Sequence, residues 1–167
     1  LKKDNKLQII KSVGKILNLE EKINKCDLLD CNMGIAHTRW ATHGIPSDEN
    51  AHPHMVGKTT LVHNGIIENA SELKKDLIDE GVVFNSETDT EVACALINKY
   101  YDGNGREAIR KALSELTGSY AFGIMFEDND YAIVVFANAQ RVKHIALCAY
   151  HYRNNPNSIT RVKYTSE

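Results

Sequence analysis

Hydrophobic residues spaced three and four positions apart predict three helices in the middle of the chain. The first covers Asn69–Glu80, where Leu73 and Leu77 fall on one face. The second covers Thr88–Tyr101 and the third covers Gly105–Leu116, both with the same near-helical period. The pattern therefore indicates three amphipathic helices in succession.

The predicted starts of the first two helices carry capping signals. Asn69 and Glu72 have the spacing of a capping pair, and so do Thr88 and Glu91. In a capping box the first side chain accepts a hydrogen bond from a backbone N–H one turn ahead, and the acidic side chain bonds back. Both helices are therefore predicted to begin at these polar residues.

Runs of β-favouring residues predict strands before and after the helices. Thr59–His63 is one such run, and it stops at Asn64 and Gly65, a dipeptide typical of hairpin turns. Ser119–Phe126 and Tyr131–Val135 are two more, and the polar residues between them predict a hairpin. Strands, then helices, then a hairpin indicate an α+β fold with an antiparallel sheet.

Weaker patterns occupy the two ends of the chain. Lys6–Val13 and Met33–Trp40 are strand candidates, and Asn18–Lys25 has the composition of a short helix. Residues 136–167 show no clear period, so they are expected to form a divergent tail of unassigned role after a single domain of residues 1–135.

The composition is that of a folded, globular protein. Of the 167 residues, 43% are hydrophobic and 25% are charged, which excludes a disordered chain. The net charge of −2 and the lack of a basic block argue against nucleic acid as a partner. No apolar run approaches the roughly 20 residues of a membrane span, and residues 1–11 lack a signal-peptide core. No membrane association is therefore expected.

The cysteines indicate a reducing, cytoplasmic setting. They form no CxxC pair and no zinc-like spacing. One of them, Cys94, falls among apolar residues, where a buried thiol acting as a small hydrophobic group is expected. The four cysteines are Cys26, Cys31, Cys94 and Cys148.

Arg39 is the first of a group of candidate binding residues that also contains Trp40, Thr42 and His43. A planar guanidinium binds a carboxylate through two parallel hydrogen bonds, which suits an amino acid held by its α-carboxylate. A structural ion pair is the alternative, and for a single arginine taken alone it is the favoured one.

Asn64 and Gly65 allow two interpretations. In a turn, Gly65 supplies a positive φ. In an oxyanion hole, the Asn64 side-chain amide and the Gly65 backbone N–H aim two donors at one developing negative charge. The two interpretations are compatible, because a tight turn can fix both donors, although the turn alone is the simpler one.

Asp89 lies in the first turn of a predicted helix. The positive end of the helix dipole favours an ionised carboxylate there, and a substrate ammonium could use that carboxylate as its counter-charge. An ordinary acidic residue at a helix start is the alternative.

Five of the seven histidines fall within one stretch, and this raises the question of a metal site. No cluster of Asp, Glu or Cys accompanies them at a zinc spacing, so histidines that make hydrogen bonds in loops and at strand ends are favoured, and no metal is predicted. The five are His37, His43, His52, His54 and His63.

Four motifs occur in order along the chain: GIAHTRWATHG at 34–44, NAHPH at 50–54, VHNGIIEN at 62–69 and SETDTEV at 86–92. Together they resemble the glutaminase domain of class II amidotransferases, most closely that of the glucosamine-6-phosphate synthases, also called glutamine–fructose-6-phosphate aminotransferases. The segment LTGSYAFGIM at 116–125 extends the resemblance, which covers about residues 1–135.

The resemblance implies an N-terminal-nucleophile hydrolase fold, a four-layer αββα sandwich of two antiparallel sheets between helices, incomplete in this chain. It implies hydrolysis of L-glutamine to glutamate, with the ammonia passing to a second, sugar-phosphate isomerase domain that makes glucosamine 6-phosphate. It also implies a cytoplasmic, homodimeric intact enzyme with no cofactor in the glutaminase reaction.

The resemblance assigns roles to the candidate residues by position. Arg39 matches the anchor of the glutamine α-carboxylate, and Asp89 matches the group that holds the ammonium. Asn64 and Gly65 match the two oxyanion donors. Three further residues match the gating tryptophan and the substrate contacts beside it, namely Trp40, Thr42 and His43.

The nucleophile of that family is a cysteine at the mature N-terminus, and its own α-amino group serves as the base. Residue 1 here is Leu, so by comparison with the family a few dozen residues, including the nucleophile, are expected to be missing before Leu1. Cys31 has no base beside it and is not expected to substitute. The chain alone is therefore predicted to release no ammonia from glutamine.

Two alternatives stay open. The first is the glutaminase domain of another class II amidotransferase, from purine or asparagine synthesis, although the residues of the TRWATHG and SETDTEV segments favour the glucosamine-6-phosphate synthases. The second is a non-catalytic fragment that still binds glutamine through Arg39 and Asp89.

Overall fold

The computed structural model describes residues 1–3, 5–26, 31, 33–38 and 46–137 in full, and the backbone of residues 148–150. The helices are α1 (Ile16–Asn24), α2 (Ala70–Asp79), α3 (Asp89–Lys99) and α4 (Gly105–Glu115). The strands are β1 (Lys2–Lys3), β2 (Lys6–Leu7), β3 (His54–Val56), β4 (Thr59–Ile67), β5 (Gly118–Phe126), β6 (Ala132–Ala137) and β7 (Cys148–Tyr150).

An antiparallel sheet with the strand order β3-β4-β5-β6-β7 forms the centre of the described structure. The two longest strands, β4 and β5, pair from Thr59 opposite Phe126 to Ile67 opposite Gly118. The predicted hairpin is present, because β5 pairs with β6 along most of its length. The first two strands form a separate small sheet. The predicted α+β fold with an antiparallel sheet is confirmed.

Alternate side chains of the two long strands face the helices and form the core. Leu61 of β4 and Phe122 and Ile124 of β5 are at most 1% exposed, because successive side chains of a strand point to opposite faces. They belong to one cluster with the buried residues of α2, α3 and α4. Each fully buried aliphatic or aromatic side chain of this kind stabilises the fold by about 1.5–3 kcal/mol.

The three central helices begin and end close to their predicted limits. Helix α3 is buried from Thr90 through Ile97, because it lies between the sheet and the helices α2 and α4. In α4 the predicted face is buried at Ile109 and Leu113. None of the helices in the described ranges is long and apolar enough to cross a membrane.

Of the two predicted capping pairs, one is confirmed only in the bond that Thr88 accepts, because the Thr88 N–H donates to Ser86 Oγ instead of to Glu91, and the other is wrong. The Thr88 side chain accepts a hydrogen bond from Glu91 N at 3.3 Å. The Asn69 side chain makes no capping hydrogen bond. Instead, its Nδ2 donates to the Glu115 carbonyl at 2.7 Å and its Oδ1 accepts from Thr117 N at 2.9 Å. Asn69 therefore joins the start of α2 to the end of α4 and the residue before β5.

Strand β4 continues through Asn64 and Gly65, so the turn predicted there is wrong. The two residues pair with Ala121 and Tyr120 of β5. Gly65 has a φ of 124°, and a Cβ at this position would lie 2.2 Å from the Ser119 carbonyl oxygen. Glycine is required here by the close approach of the neighbouring strand rather than by a reversal of the chain.

The N-terminal region contains less strand than predicted. The candidate strand Lys6–Val13 is a strand only over its first two residues. In the Met33–Trp40 run, Met33 makes a single β-bridge with Lys2, and residues 34–38 form no strand. The short helix predicted in this region is confirmed as α1.

The end of the predicted domain falls inside β6, which runs from Ala132 to Ala137. Strand β7 pairs with β6, with Cys148 opposite Val134. The division of the chain at residue 135 stays a prediction.

Candidate active site

The edge of β4 that faces away from β5 is open over its second half. Strand β3 pairs with Thr59–Leu61, and no other described strand pairs with β4 on this side. At one end of the β4–β5 pairing, Glu68 N donates to Thr117 O at 2.8 Å. At the other end, Glu127 N donates to Lys58 O at 2.9 Å. Because bonding direction alternates along a strand, the N–H groups of odd-numbered residues between them point to the open edge.

The backbone N–H groups of three residues in the open half of β4 therefore face this edge, those of His63, Gly65 and Ile67. The Ile67 N–H donates to Oδ2 of Asp89 at 2.9 Å, which confirms the direction. By the same alternation the N–H of Gly65 points to the open edge. Gly65 is exposed, and it has no side chain to shield the donor. A preformed backbone donor at an accessible edge is one half of an oxyanion hole.

The side chain of Asn64 is the second candidate donor. Asn64 is exposed, and its side chain points to the face of the sheet opposite to the buried side chain of His63. Its Oδ1 lies 2.6 Å from Nε2 of His37. His37 thus contacts the amide at its oxygen, and the amide's two N–H donors are on Nδ2.

Asp89 is the first residue of α3, directly after the Thr88 cap. Its side chain is 30% exposed. Besides the Ile67 N–H on Oδ2, its Oδ1 lies 3.5 Å from Thr90 Oγ1 and 3.7 Å from His63 Nδ1. The exposed part of the carboxylate is accessible to a cationic group.

The hydroxyl of Thr90 joins two histidines. Thr90 Oγ1 lies 3.0 Å from Nδ1 of His63 and 2.9 Å from Nε2 of His52. The His52 ring contacts the His37 ring edge-on, with 4.4 Å between the ring centroids. A continuous series of contacts therefore runs from the carboxylate at the start of α3 to the side-chain amide in β4.

His63 is a buried, neutral histidine. Burial lowers the pKa of its imidazole, the Asp89 carboxylate opposes that shift only in part, and His37 lowers the pKa further. Its Nε2 has no hydrogen-bond partner among the described residues, and its ring lies edge-on to Phe122 with centroids 5.2 Å apart. The 3.7 Å contact with Asp89 therefore joins a carboxylate to a neutral ring rather than two charges.

Glu91 fixes the loop that leads into α3. Its buried carboxylate accepts hydrogen bonds from Ser86 N at 2.7 Å, Ser86 Oγ at 2.6 Å and Asn85 N at 3.0 Å. Burial raises the pKa of this carboxyl, but the hydrogen bonds from Ser86 and Asn85 outweigh burial and lower the pKa overall. The ionised carboxylate holds the loop against the helix and so fixes the position of Asp89.

A cavity of about 310 Å³ adjoins Asp89, and its lining includes Ile67, Lys74, Glu87 and Thr88. Small-molecule sites in proteins begin near this size. The exposed part of the Asp89 carboxylate therefore lies beside space for a small ligand.

Three of the predicted site residues are described in or beside β4, namely Asn64, Gly65 and Asp89: Asn64 and Gly65 line one cavity, whereas Asp89 lines a different one and accepts a hydrogen bond from the Ile67 N–H. The other four lie outside the described residues, and these are Arg39, Trp40, Thr42 and His43. Thr90 lies inside the SETDTEV motif but carries no sequence signal of its own, and no sequence pattern connects His37 with the amide in β4.

The prediction that the histidines make hydrogen bonds is confirmed for the four that the structure describes. His37, His52 and His63 make the contacts given above, and Nε2 of His54 lies 3.1 Å from Thr88 Oγ1. The fifth, His43, lies outside the described residues. Within the described ranges, no group of three or more His, Cys, Asp or Glu side chains is arranged to hold a metal ion.

A family profile described as a glutamine amidotransferase domain matches residues 37–153. The chain belongs to this family. The matched range contains Asn64, Gly65 and Asp89, so the open edge of β4 lies inside the glutamine amidotransferase domain.

Proteins named glutamine–fructose-6-phosphate aminotransferase (isomerizing) are similar to this domain. The one from Fusobacterium nucleatum is 49% identical over 127 residues, which are 75% of this chain and 21% of that protein. The one from Pyrococcus horikoshii is 52% identical over 130 residues, which are 75% of this chain and 22% of that protein. The chain thus spans about a fifth of the length of these relatives.

Two solved structures share the fold. Glutamine phosphoribosylpyrophosphate amidotransferase from B. subtilis, complexed with ADP and GMP, matches with a TM-score of 0.51 and 35% identity over 60% of this chain and 22% of its own. A structure described as the allosteric regulatory enzyme of purine biosynthesis matches with a TM-score of 0.53 and 37% identity, at the same coverage. The α+β fold of N-terminal-nucleophile type is therefore confirmed.

Proposed function

We propose that this domain binds L-glutamine and hydrolyses its side-chain amide as the glutaminase part of a glutamine–fructose-6-phosphate aminotransferase. The observation that carries the proposal is the position of two candidate donors, Asn64 and Gly65, in the strand whose Ile67 N–H binds the Asp89 carboxylate. A neutral amide carbonyl and a positively charged ammonium are the two groups of glutamine that such a site would bind.

The two charged groups on the α-carbon of the ligand are bound by side chains of opposite charge in this proposal. Asp89, which is partly exposed and lines the adjoining cavity, binds the α-ammonium. Arg39 binds the α-carboxylate through two parallel hydrogen bonds. Trp40, Thr42 and His43 contact the ligand beside it.

The strand edge stabilises the charge that forms during the reaction. When a thiolate adds to the amide carbon, the carbonyl oxygen becomes an oxyanion, which the Gly65 N–H and the Asn64 Nδ2 stabilise. Cys94 is not the attacking group, because burial raises the pKa of its thiol to about 12. Cys26 is also buried. The nucleophile is assigned to the N-terminal cysteine that the family resemblance implies.

The product ammonia is proposed to pass to a sugar-phosphate isomerase domain of the same polypeptide, in a cytoplasmic homodimer. The names of the relatives support the fructose-6-phosphate enzyme, at 49–52% identity. The phosphoribosylpyrophosphate amidotransferase is less similar, at 35% identity, and its acceptor reaction is the second candidate. Assays of the complete polypeptide with fructose 6-phosphate and with phosphoribosylpyrophosphate distinguish the two.

The glutaminase proposal is tested in the complete natural polypeptide that contains residues 1–167. Asn64→Ala removes one of two oxyanion donors, and kcat for glutamate release from L-glutamine is expected to fall about 10²- to 10³-fold. KM is expected to change little, because the donor acts on charge that forms in the transition state. An unchanged kcat in a folded Asn64→Ala protein would contradict the oxyanion role.

The ammonium role of Asp89 has a separate test. Asp89→Asn keeps an oxygen for the Ile67 N–H but removes the negative charge, so KM for L-glutamine is expected to rise about tenfold or more, the loss expected for a charged hydrogen bond. Asp79→Asn is the matched control, because Asp79 is an exposed carboxylate at the end of α2. Equal KM values for the two variants would rule out the proposed contact.

A further inference from the structure

The side chain of Asn64 can serve an oxyanion only in one of its two orientations. Its amide carries two N–H donors on Nδ2 and an acceptor oxygen on the other branch. A rotation of 180° about the last side-chain bond exchanges the two branches and presents a lone pair to the oxyanion. Something must therefore select the orientation, and Asn64 is exposed, so packing alone does not.

His37 is the group in contact with the oxygen branch. Its Nε2 lies 2.6 Å from Asn64 Oδ1, which is within hydrogen-bond distance. When Nε2 carries a hydrogen, this contact is favourable only if Oδ1 faces His37, because an N–H facing another N–H is repulsive. The same contact turns Nδ2 to the opposite side.

The ring of His37 is itself held in place. The His52 ring lies edge-on to it, with centroids 4.4 Å apart and planes at 67°. His52 is in turn bonded through Nε2 to the hydroxyl of Thr90, at 2.9 Å. Thr90 is 1% exposed and lies within helix α3. The donor on His37 is thus supported from the buried part of the domain.

We propose that His37 is a positioning residue for the glutaminase reaction: its Nε2–H holds Oδ1 of Asn64, so that Nδ2 is oriented toward the oxyanion before substrate binds. The inference rests on the proposed function of Asn64 and adds a residue that acts through it. His37 itself touches neither the substrate nor the reacting atoms in this scheme. Its contribution is preorganisation, which is the property that gives an oxyanion hole its effect.

The test measures glutamate release by the complete natural polypeptide with His37 replaced. His37→Phe keeps a flat ring against His52 but has no donor, and kcat is expected to fall about 10- to 100-fold, less than the full loss of one oxyanion donor. KM for L-glutamine is expected to stay within about twofold. His37→Gln is the matched control, because its amide can donate to the same oxygen, and it should retain kcat within about threefold of the parent.

A double-mutant cycle separates positioning from general damage to the fold. If His37 acts through Asn64, then His37→Phe has nothing left to remove once Asn64 is alanine, and the double variant should match Asn64→Ala alone within about twofold. A double variant whose loss in kcat equals the product of the two single-variant losses would overturn the proposal. Should His37→Phe fail to fold, His37→Leu enters the same cycle.

The outcomes distinguish this inference from the function on which it rests. A parent polypeptide that releases no glutamate from L-glutamine removes the proposed function and this inference with it. A parent that is active, together with a His37→Phe variant of unchanged kcat, removes only the positioning role of His37. A raised KM with an unchanged kcat also removes it, because it would place His37 in ground-state binding.

Discussion

Gly65 combines two requirements at one residue. Its N–H faces the open strand edge, and its absent side chain leaves room for the neighbouring strand. A Cβ would lie 2.2 Å from the Ser119 carbonyl oxygen and 2.8 Å from the Tyr120 Cα. Both neighbours are backbone atoms, which cannot move without shifting β5.

Gly65→Ala is therefore expected to destabilise the domain by about 3 kcal/mol or more, because a positive φ and a backbone clash each cost about 1–3 kcal/mol. Urea-induced unfolding measures the change. Gly81→Ala is the matched control: Gly81 also has a positive φ, of 94°, but nothing lies within 4 Å of its Cβ position. Gly81→Ala is expected to lower the free energy of unfolding by about 1–2 kcal/mol. Similar losses in the two variants would show that the clash at β5 is absent.

The sequence pattern predicted a turn at this position, where the structure has a continuous strand. An Asn-Gly pair after a strand is typical of a turn because both residues tolerate positive φ. The same tolerance serves a close approach inside a sheet, and the two uses look identical in one sequence. The distinguishing contact, Ser119, is far away along the chain, so the local pattern could not reveal it.

At the scale of elements, the side chain of Asn69 connects three parts of the fold. It bonds the Glu115 carbonyl at the end of α4 and the Thr117 N–H before β5, while it lies at the start of α2. No backbone hydrogen bond could join these three elements at one point, since each has its own bonding direction.

Asn69→Ala removes both bonds and is expected to lower the free energy of unfolding by about 1–3 kcal/mol, since each hydrogen bond contributes about 0.5–1.5 kcal/mol. Asn69→Asp keeps the acceptor for the Thr117 N–H but sets a carboxylate oxygen against the Glu115 carbonyl oxygen, so it should be at least as destabilised as Asn69→Ala. Thermal unfolding ranks the three proteins. An Asp variant as stable as the parent would show that the bond from Asn69 to Glu115 contributes nothing.

The capping predictions show what the local pattern can and cannot decide. Thr88 and Asn69 are both followed by a glutamate three residues later, yet only Thr88 caps its helix. At Asn69 the partners Glu115 and Thr117 compete for the same amide. They reach Asn69 only in the folded domain, where the end of α4 and the residue before β5 lie beside the start of α2, so a rule based on neighbouring residues had no information about them.

At the scale of the whole molecule, the long amphipathic helices and the β5–β6 hairpin were predictable because their signals are local. The N-terminal strands were not, because a strand is defined by its partner, and Met33 finds its partner in Lys2. For the site, the family motifs indicated Asn64, Gly65 and Asp89 together. The sheet edge that aligns them is a property of the paired strands and not of any motif.

Cys94 reports on the integrity of the whole domain. It is fully buried in the core at 0% exposure, and burial raises the pKa of its thiol to about 12. Since only the thiolate reacts, Cys94 is expected to resist alkylation by iodoacetamide until the domain unfolds, whereas the half-buried Cys31 reacts first. Peptide mapping by mass spectrometry at increasing urea concentration measures this order. If Cys94 in the folded protein were alkylated as fast as Cys31, this result would contradict a core that opens as one unit.

The hydroxyl of Thr90 has a single hydrogen but three polar neighbours, the Asp89 carboxylate, His52 and His63. A carboxylate can only accept, so when it takes that hydrogen, each imidazole nitrogen that meets the oxygen must bring a hydrogen of its own. One oxygen atom thereby dictates which ring nitrogen is protonated in two separate histidines. Serine in place of Thr90 would keep this shared oxygen, whereas valine, of almost the same shape, would remove the atom that both ring nitrogens meet.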